Sequence, residues 1–265
     1  MISAREILIY LAIKYGGDWD LMMEAVRKKE NIPFSELEGI ESKISSKAIT
    51  LADDDYPKSL KNTCKPPLVL FYYGDLSLAH DEKRCISFIG TREPSEYGSE
   101  ISEKIVEGLA KDDYVIVSGL AKGIDTIANE TSLNKGKKTV AVLGNGIDIC
   151  YPSENKELYE RIKKEGLLIS EYPGMTPPSR TSFPSRNRIV AGLSSTIVVG
   201  EAKKKSGTMI TVSYGLLMGK NICCVPYPAG EDSVCNTFIK EGAFLVENAE
   251  DVSIVASGTK RNFKV

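Results

Sequence analysis

Histidine is almost missing from this 265-residue chain: His80 stands alone, in a polar connector. Neither a Ser-His pair for nucleophilic hydrolysis nor a histidine-based zinc site can be assembled from one imidazole. The six cysteines, Cys64, Cys85, Cys150, Cys223, Cys224 and Cys235, include no CxxC spacing. Several lie in apolar runs, where a free thiol behaves as a small hydrophobe, so no metal is expected. Apolar runs of the ~20 residues needed to cross a bilayer are absent as well. Ile7 to Ile13 is flanked by Arg5, Glu6 and Lys14 without a small-residue cleavage site, and a cytoplasmic protein away from membranes is expected. Both common nucleotide fingerprints are lacking. Gly144-Asn-Gly146 has no third glycine, and Gly207 is followed by Thr208 and Met209 instead of a lysine. Bound NAD and ATP hydrolysis lose their usual signatures, and no cofactor is expected.

What remains is an ordinary globular composition, 42% apolar and 26% charged, with a formal net charge of -2. From Ser3 to Lys29, Ile7, Leu8, Leu11 and Tyr15, then Leu21, Met22, Ala25 and Val26, recur at helical spacing. Gly16-Gly17 interrupts the pattern and Asp18 is placed to cap a second helix, which predicts a small helical hairpin. Lys65 to Tyr73 reads as a short extended lead-in. Beyond residue 80, short β-branched runs at 85–89, 115–117, 139–143, 167–170, 196–199 and 222–225 alternate with helix-length segments at 98–110, 124–134, 155–164, 187–193 and 208–218. That alternation predicts an α/β domain, doubly wound about a mainly parallel sheet. The expected division is 1–80 for the helical region and lead-in, 81–255 for the α/β domain, and 256–265 for a polar tail.

Ligands of open parallel sheets bind beyond the carboxyl ends of the strands. Here those positions are glycine-rich: Gly90-Thr91-Arg92, Ser118-Gly119 through Lys122-Gly123, Gly144-Asn145-Gly146 and Ser206-Gly207-Thr208. Backbone N–H groups at helix starts bind anions, and glycine lets a phosphate come close. Any single glycine turn also serves plain strand-to-helix packing. Residues 180–224 add seven cations, Arg180, Arg186, Arg188, Lys203, Lys204, Lys205 and Lys220, against the single acid Glu201. Segregated charge of this kind gathers a polyanion at one face of a mildly acidic molecule. Lys203 to Lys205 equally suit a solvated run. Phe183 beside Arg186 and Arg188, in a stretch that reads as a loop, offers either a stacking face for a base or an anchor into the core.

The ordered set Ile89-Gly-Thr-Arg92, Ser118-Gly-Leu-Ala-Lys-Gly-Ile-Asp125, Val142-Leu-Gly-Asn-Gly146, Tyr151-Pro-Ser-Glu-Asn155, Ser170-Glu-Tyr-Pro173 and Phe183-Pro-Ser-Arg-Asn-Arg-Ile-Val-Ala-Gly192 resembles the DprA/Smf family of bacterial DNA-processing proteins, over about residues 50–255. The resemblance implies a Rossmann-like domain and a protein without enzymatic turnover. Such a protein binds single-stranded DNA during natural transformation, protects it and helps load the RecA recombinase, usually as a homodimer. Carried across by position, the DNA-binding set is Gly90, Thr91, Arg92, Lys122, Gly123, Phe183, Arg186, Asn187 and Arg188, with Ser206, Gly207 and Thr208 as a further wall. Phe238, Ile239 and Phe244 are candidates for a dimer surface or, equally, for core. Two departures accompany the likeness: no winged-helix domain is expected after the tail, and the hairpin, with Trp19 and Met22-Met23, is less typical of the family. The competing reading is an enzyme of the phosphoribohydrolase-like fold that cleaves nucleoside monophosphates. Gly207-Thr208 lacks the catalytic glutamate that should follow it, which leaves Glu201 and Glu171 as substitutes.

Overall fold

Apolar side chains leave the central strands in both directions, as a buried parallel sheet requires. In the computed structural model, which describes residues 3–204, 206–231 and 233–258, Val140 and Val142 enter one core cluster while Ala141 and Leu143 enter a second. Lys205 of the cation run and residues 259–265 of the expected tail lie outside the described residues. The strands are β1 (Lys47–Thr50), β2 (Val69–Gly74), β3 (Cys85–Ile89), β4 (Val115–Ser118), β5 (Thr139–Val142), β6 (Leu167–Ser170), β7 (Thr196–Val199), β8 (Asn221–Cys224) and β9 (Phe244–Leu245). They form one sheet in the order β1-β2-β6-β5-β4-β3-β7-β8-β9. From β6 to β9 every pairing is parallel; β1 and β2 join antiparallel at the β6 edge.

The helices are α1 (Ala4–Lys14), α2 (Trp19–Arg27), α3 (Phe34–Leu37), α4 (Lys58–Lys61), α5 (Glu96–Lys111), α6 (Ile124–Asn134), α7 (Lys156–Glu165), α8 (Ser182–Gly192), α9 (Thr208–Leu217), α10 (Cys235–Lys240) and α11 (Ala249–Ser257). The doubly wound α/β class read from the alternation is the observed one, with helices on both faces. The N-terminal hairpin forms where expected, and Asp18 accepts from the N–H groups of Asp20 and Leu21 at the start of α2. It packs directly on the sheet: Ile9, Leu11, Ala12 and Met22 share the second cluster with Phe71, Leu143 and Leu168. Strand β2, from the lead-in, extends the same sheet, and so does β1, which precedes the lead-in and was not anticipated. No helix among the described residues is long and apolar enough to cross a membrane.

One boundary differs in a way that shapes the site. Helix α8 begins at Ser182, five residues before the predicted start at 187, so the Phe183 to Arg188 stretch is helical and not a loop. Pro184 falls in the first turn, where its missing N–H removes a donor that has no partner within the helix anyway. Phe183, Arg186 and Asn187 stand at helical i, i+3 and i+4 and share a face; Arg188 points away from Arg186.

Candidate functional site

The chain order reverses beside β3. Strands β4, β5 and β6 build outward on one side, and β7 then returns to the other side of β3. Such a switch point opens a crevice at the carboxyl ends of the two central strands. Here the crevice is a cleft of about 550 Å³. Its walls come from the end of β3 (Gly90, Thr91, Arg92), the end of β4 (Gly119, Ala121), the first turn of α6 (Asp125), the shared face of α8 (Phe183, Arg186, Asn187) and the start of α9 (Ser206, Gly207, Thr208).

The loops around it are tied together by main-chain bonds. Thr91 N–H donates to Glu201 O at 2.7 Å, and Ile124 N–H donates to Thr91 O at 3.1 Å. The Thr91 N–H is therefore already used and is not a phosphate donor, contrary to the strand-end expectation. Glycines at these ends make room for neighbouring groups of the protein. A Cβ on Gly144 would stand 2.6 Å from Cδ1 of Phe183, and one on Gly119 would stand 2.5 Å from both Arg186 Nη1 and Asp125 Oδ2. Gly123 has a φ of +76° and its Cβ would meet Thr91 O at 2.4 Å, so glycine is required there on both counts.

The basic residues divide into three kinds. Arg92 is exposed at the mouth, its guanidinium 5.8 Å from the Phe183 ring centroid. Arg180 and Lys203 line the same cleft from its rim, and Lys122 is exposed beside it, paired with Glu154. Arg186 is only 5% exposed. Its Nη1 donates to Gly119 O at 2.6 Å and also to Val142 O, which staples the ends of β4 and β5. Burial lowers its pKa and the nearby Asp125 opposes that fall; burial likewise raises the pKa of Asp125. Arg188 is 2% exposed and leaves the candidate set. It meets Glu171 through two bonds, at 2.6 Å and 2.5 Å, and donates to Lys65 O at 2.9 Å. It does not line the cleft.

Glu201 is consumed as well. Its Oε2 accepts from the N–H and hydroxyl of Ser95, at 2.9 Å and 2.8 Å, at the start of α5, and from Tyr227 Oη at 3.2 Å. A carboxylate there is favoured by the unpaired N–H groups and dipole of the helix. Both substitutes for a catalytic glutamate are thus held in structural contacts. Among the described residues no group of three or more acidic, histidine or cysteine side chains is arranged to hold a metal ion.

Residues 47–257 match the family model described as DNA recombination-mediator protein A. The chain belongs to that family. It is 40% identical over 207 residues to the DNA processing protein DprA of Streptococcus pneumoniae, covering 77% of this chain and 72% of the relative. It is 38% identical over 231 residues to Protein Smf of Synechocystis, spanning 58% of that longer protein. The X-ray structure of the S. pneumoniae DprA superimposes with a TM-score of 0.75 at 32% identity, over 93% of this chain and 92% of that one. A structure of the Helicobacter pylori DprA, solved to describe that protein's single-stranded DNA binding mode, superimposes with a TM-score of 0.73 at 30% identity, over 82% of this chain and 99% of that one. The Rossmann-like fold of DprA is the one observed here.

Sequence reading assigned no role to three residues in or beside this cleft. Arg180 entered only the cation count, although it lines the cleft. Asp125 ends the Ser118 to Asp125 motif and faces Arg186 across Gly119. Tyr151, within a Tyr-Pro motif, lies with its ring centroid 5.5 Å from that of Phe183. The expected dimer residues divide: Phe238 and Ile239 pack against the core, whereas Phe244 on β9 is 48% exposed.

Proposed function

We propose that this protein binds single-stranded DNA in the cleft at the β3/β7 switch point, protects it during DNA uptake and helps load RecA recombinase onto it. The observation that carries the reading is the aromatic ring of Phe183, seated on Gly144 and approached by Arg92, inside a cleft rimmed by Arg92, Arg180 and Lys203. An aromatic face takes any base by stacking, and cations around it hold the phosphates, which is how sequence-tolerant single-strand binders work. Duplex fits poorly, because its bases are already stacked on one another. Arginine suits the mouth since its planar fork makes two bonds to one phosphate. The family relationship, and the single-stranded DNA binding described for the H. pylori relative, support the same reading. Work of this kind belongs in the cytoplasm, with a homodimer as the working form.

Fluorescence anisotropy of a labelled oligo-dT against the matching duplex, across a salt series, tests it. Preference for the single strand, with a log–log salt slope near about -3 for about four neutralised phosphates, is the expected result. Absence of binding at low salt, with release of free base from nucleoside monophosphates, overturns it in favour of the phosphoribohydrolase-like enzyme.

A further inference from the structure

Beside the main cleft lies a second, smaller notch of about 60 Å³, lined by Arg92, Lys122, Gly144, Tyr151, Pro152 and Phe183 among others. Phe183 is the aromatic wall the two share, with Arg92, Gly119, Ala121 and Arg186 also common to both. Across the notch Tyr151 is 44% exposed, its ring tilted 43° to that of Phe183. A tyrosine of that exposure beside a half-buried aromatic leaves one apolar face to water. Tyr151 has no hydrogen bond among the described residues that would account for its position. Lys122 and Glu154, both more than half exposed, form an ion pair at the rim of the same notch.

We infer that Tyr151 and Lys122 form a second nucleotide subsite, with Glu154 as the group a phosphate must displace. This rests on the single-stranded DNA reading above and extends it past the cleft. The volume is too small to swallow a base, so the base lies flat on the exposed face of Tyr151 with its edge at the notch. The base before it stands against Phe183. The ring centroids, 5.5 Å apart, are close enough to serve consecutive nucleotides of one strand. Lys122 then meets the phosphate joining the two. In the free protein Glu154 occupies Lys122, and the lysine in turn holds the Glu154 carboxyl below its usual pKa. An exposed pair of this kind is weak and exchanges readily for a phosphate.

The geometry sets opposite expectations for the two partners of one ion pair. Tyr151→Ala weakens oligo-dT binding about tenfold, the loss of one base stack, while Tyr151→Phe stays within about twofold of wild type. Lys122→Ala weakens binding and reduces the salt slope by about 0.7, one phosphate contact. Glu154→Gln tightens binding about two- to fivefold at low salt, because a competing charge is gone. A residue serving only to hold the fold would move the melting temperature and would not produce a gain of affinity. The measurement is anisotropy with the full chain, oligo-dT and the dinucleotide d(TpT), alongside thermal melts. Failure of the wild type to bind oligo-dT removes the proposed function and this subsite together. Wild-type binding left unchanged by both Tyr151→Ala and Glu154→Gln, or weakened by the latter, removes the subsite alone.

Discussion

Arg188 and Glu171 form a doubly bonded ion pair from which water is excluded, their side chains 2% and 6% exposed. The carboxylate keeps the guanidinium charged there, raising its pKa against the pull of burial. Cutting such a pair strands the other charge, whereas replacing both partners by apolar groups restores balance. Arg188→Ala should therefore lose about 3–5 kcal/mol of unfolding free energy in urea, and the double variant Arg188→Met with Glu171→Leu should recover most of it. A melting curve unchanged by Arg188→Ala would return this residue to the DNA-binding set. Arg186 is intermediate: its loss leaves the carbonyls of Gly119 and Val142 without their donor, so weaker DNA binding by Arg186→Ala would not isolate a phosphate contact. Arg92 gives the clean measurement. Exposed and in none of the ion pairs found among the described residues, although the buried Asp125 feels its charge, it should cost stability no more than about 0.5 kcal/mol on truncation. Binding should fall and the salt slope shrink by about 0.7. Sequence alone read these three arginines as equivalent phosphate partners, because Glu171 is seventeen residues from Arg188 and on a different element. A buried pairing across elements leaves no local pattern.

The strands and helices were legible because each carries its own signal. Continuous β-branched runs marked β3 to β8 nearly to the residue, and Gly16-Gly17 with Asp18 marked the turn between α1 and α2. The start of α8 was not legible, since Pro184 signals a break almost anywhere except in a first turn. The strand-end glycines were found, but their purpose was read too simply. They were expected to admit phosphate, and several admit protein instead: Gly144 seats Phe183, Gly119 seats Arg186 and Asp125, and a Cβ on Gly90 would stand 2.5 Å from Ile124 Cγ1. An element test follows at the carboxyl end of β5. Gly144→Ala places a methyl 2.6 Å from the Phe183 ring, which must tilt into the cleft or push the helix back. Overpacking of that size costs about 1–3 kcal/mol. Oligo-dT affinity should fall alongside, and Gly144→Ala combined with Phe183→Leu should regain stability without regaining affinity. Restored affinity in that double variant would show that the ring is a core anchor, the other role open to Phe183 from its sequence.

At the scale of the whole molecule, cations gather at one edge of the sheet while the net charge stays at -2, so attraction of a polyanion is local and sensitive to salt. A single cleft rimmed by a few cations holds one short stretch of strand. Two clefts on one particle would hold a long strand far better, since the second contact becomes intramolecular. The sheet offers a place to join two copies. Its β9 edge is only two residues long, and Phe244 and Leu245 there are 48% and 45% exposed. An open edge with apolar side chains invites another copy, and pairing about a twofold axis uses the same patch on both. Light scattering at two concentrations should find a dimer, and Phe244→Lys with Leu245→Lys should convert it to a monomer with little change in melting temperature. Because the clefts themselves are untouched, that monomer should bind a short oligo-dT as wild type does and lose affinity for a long one. If wild type is a monomer at both concentrations, or if the double variant weakens short and long strands alike, the β9 edge is not where two clefts are joined.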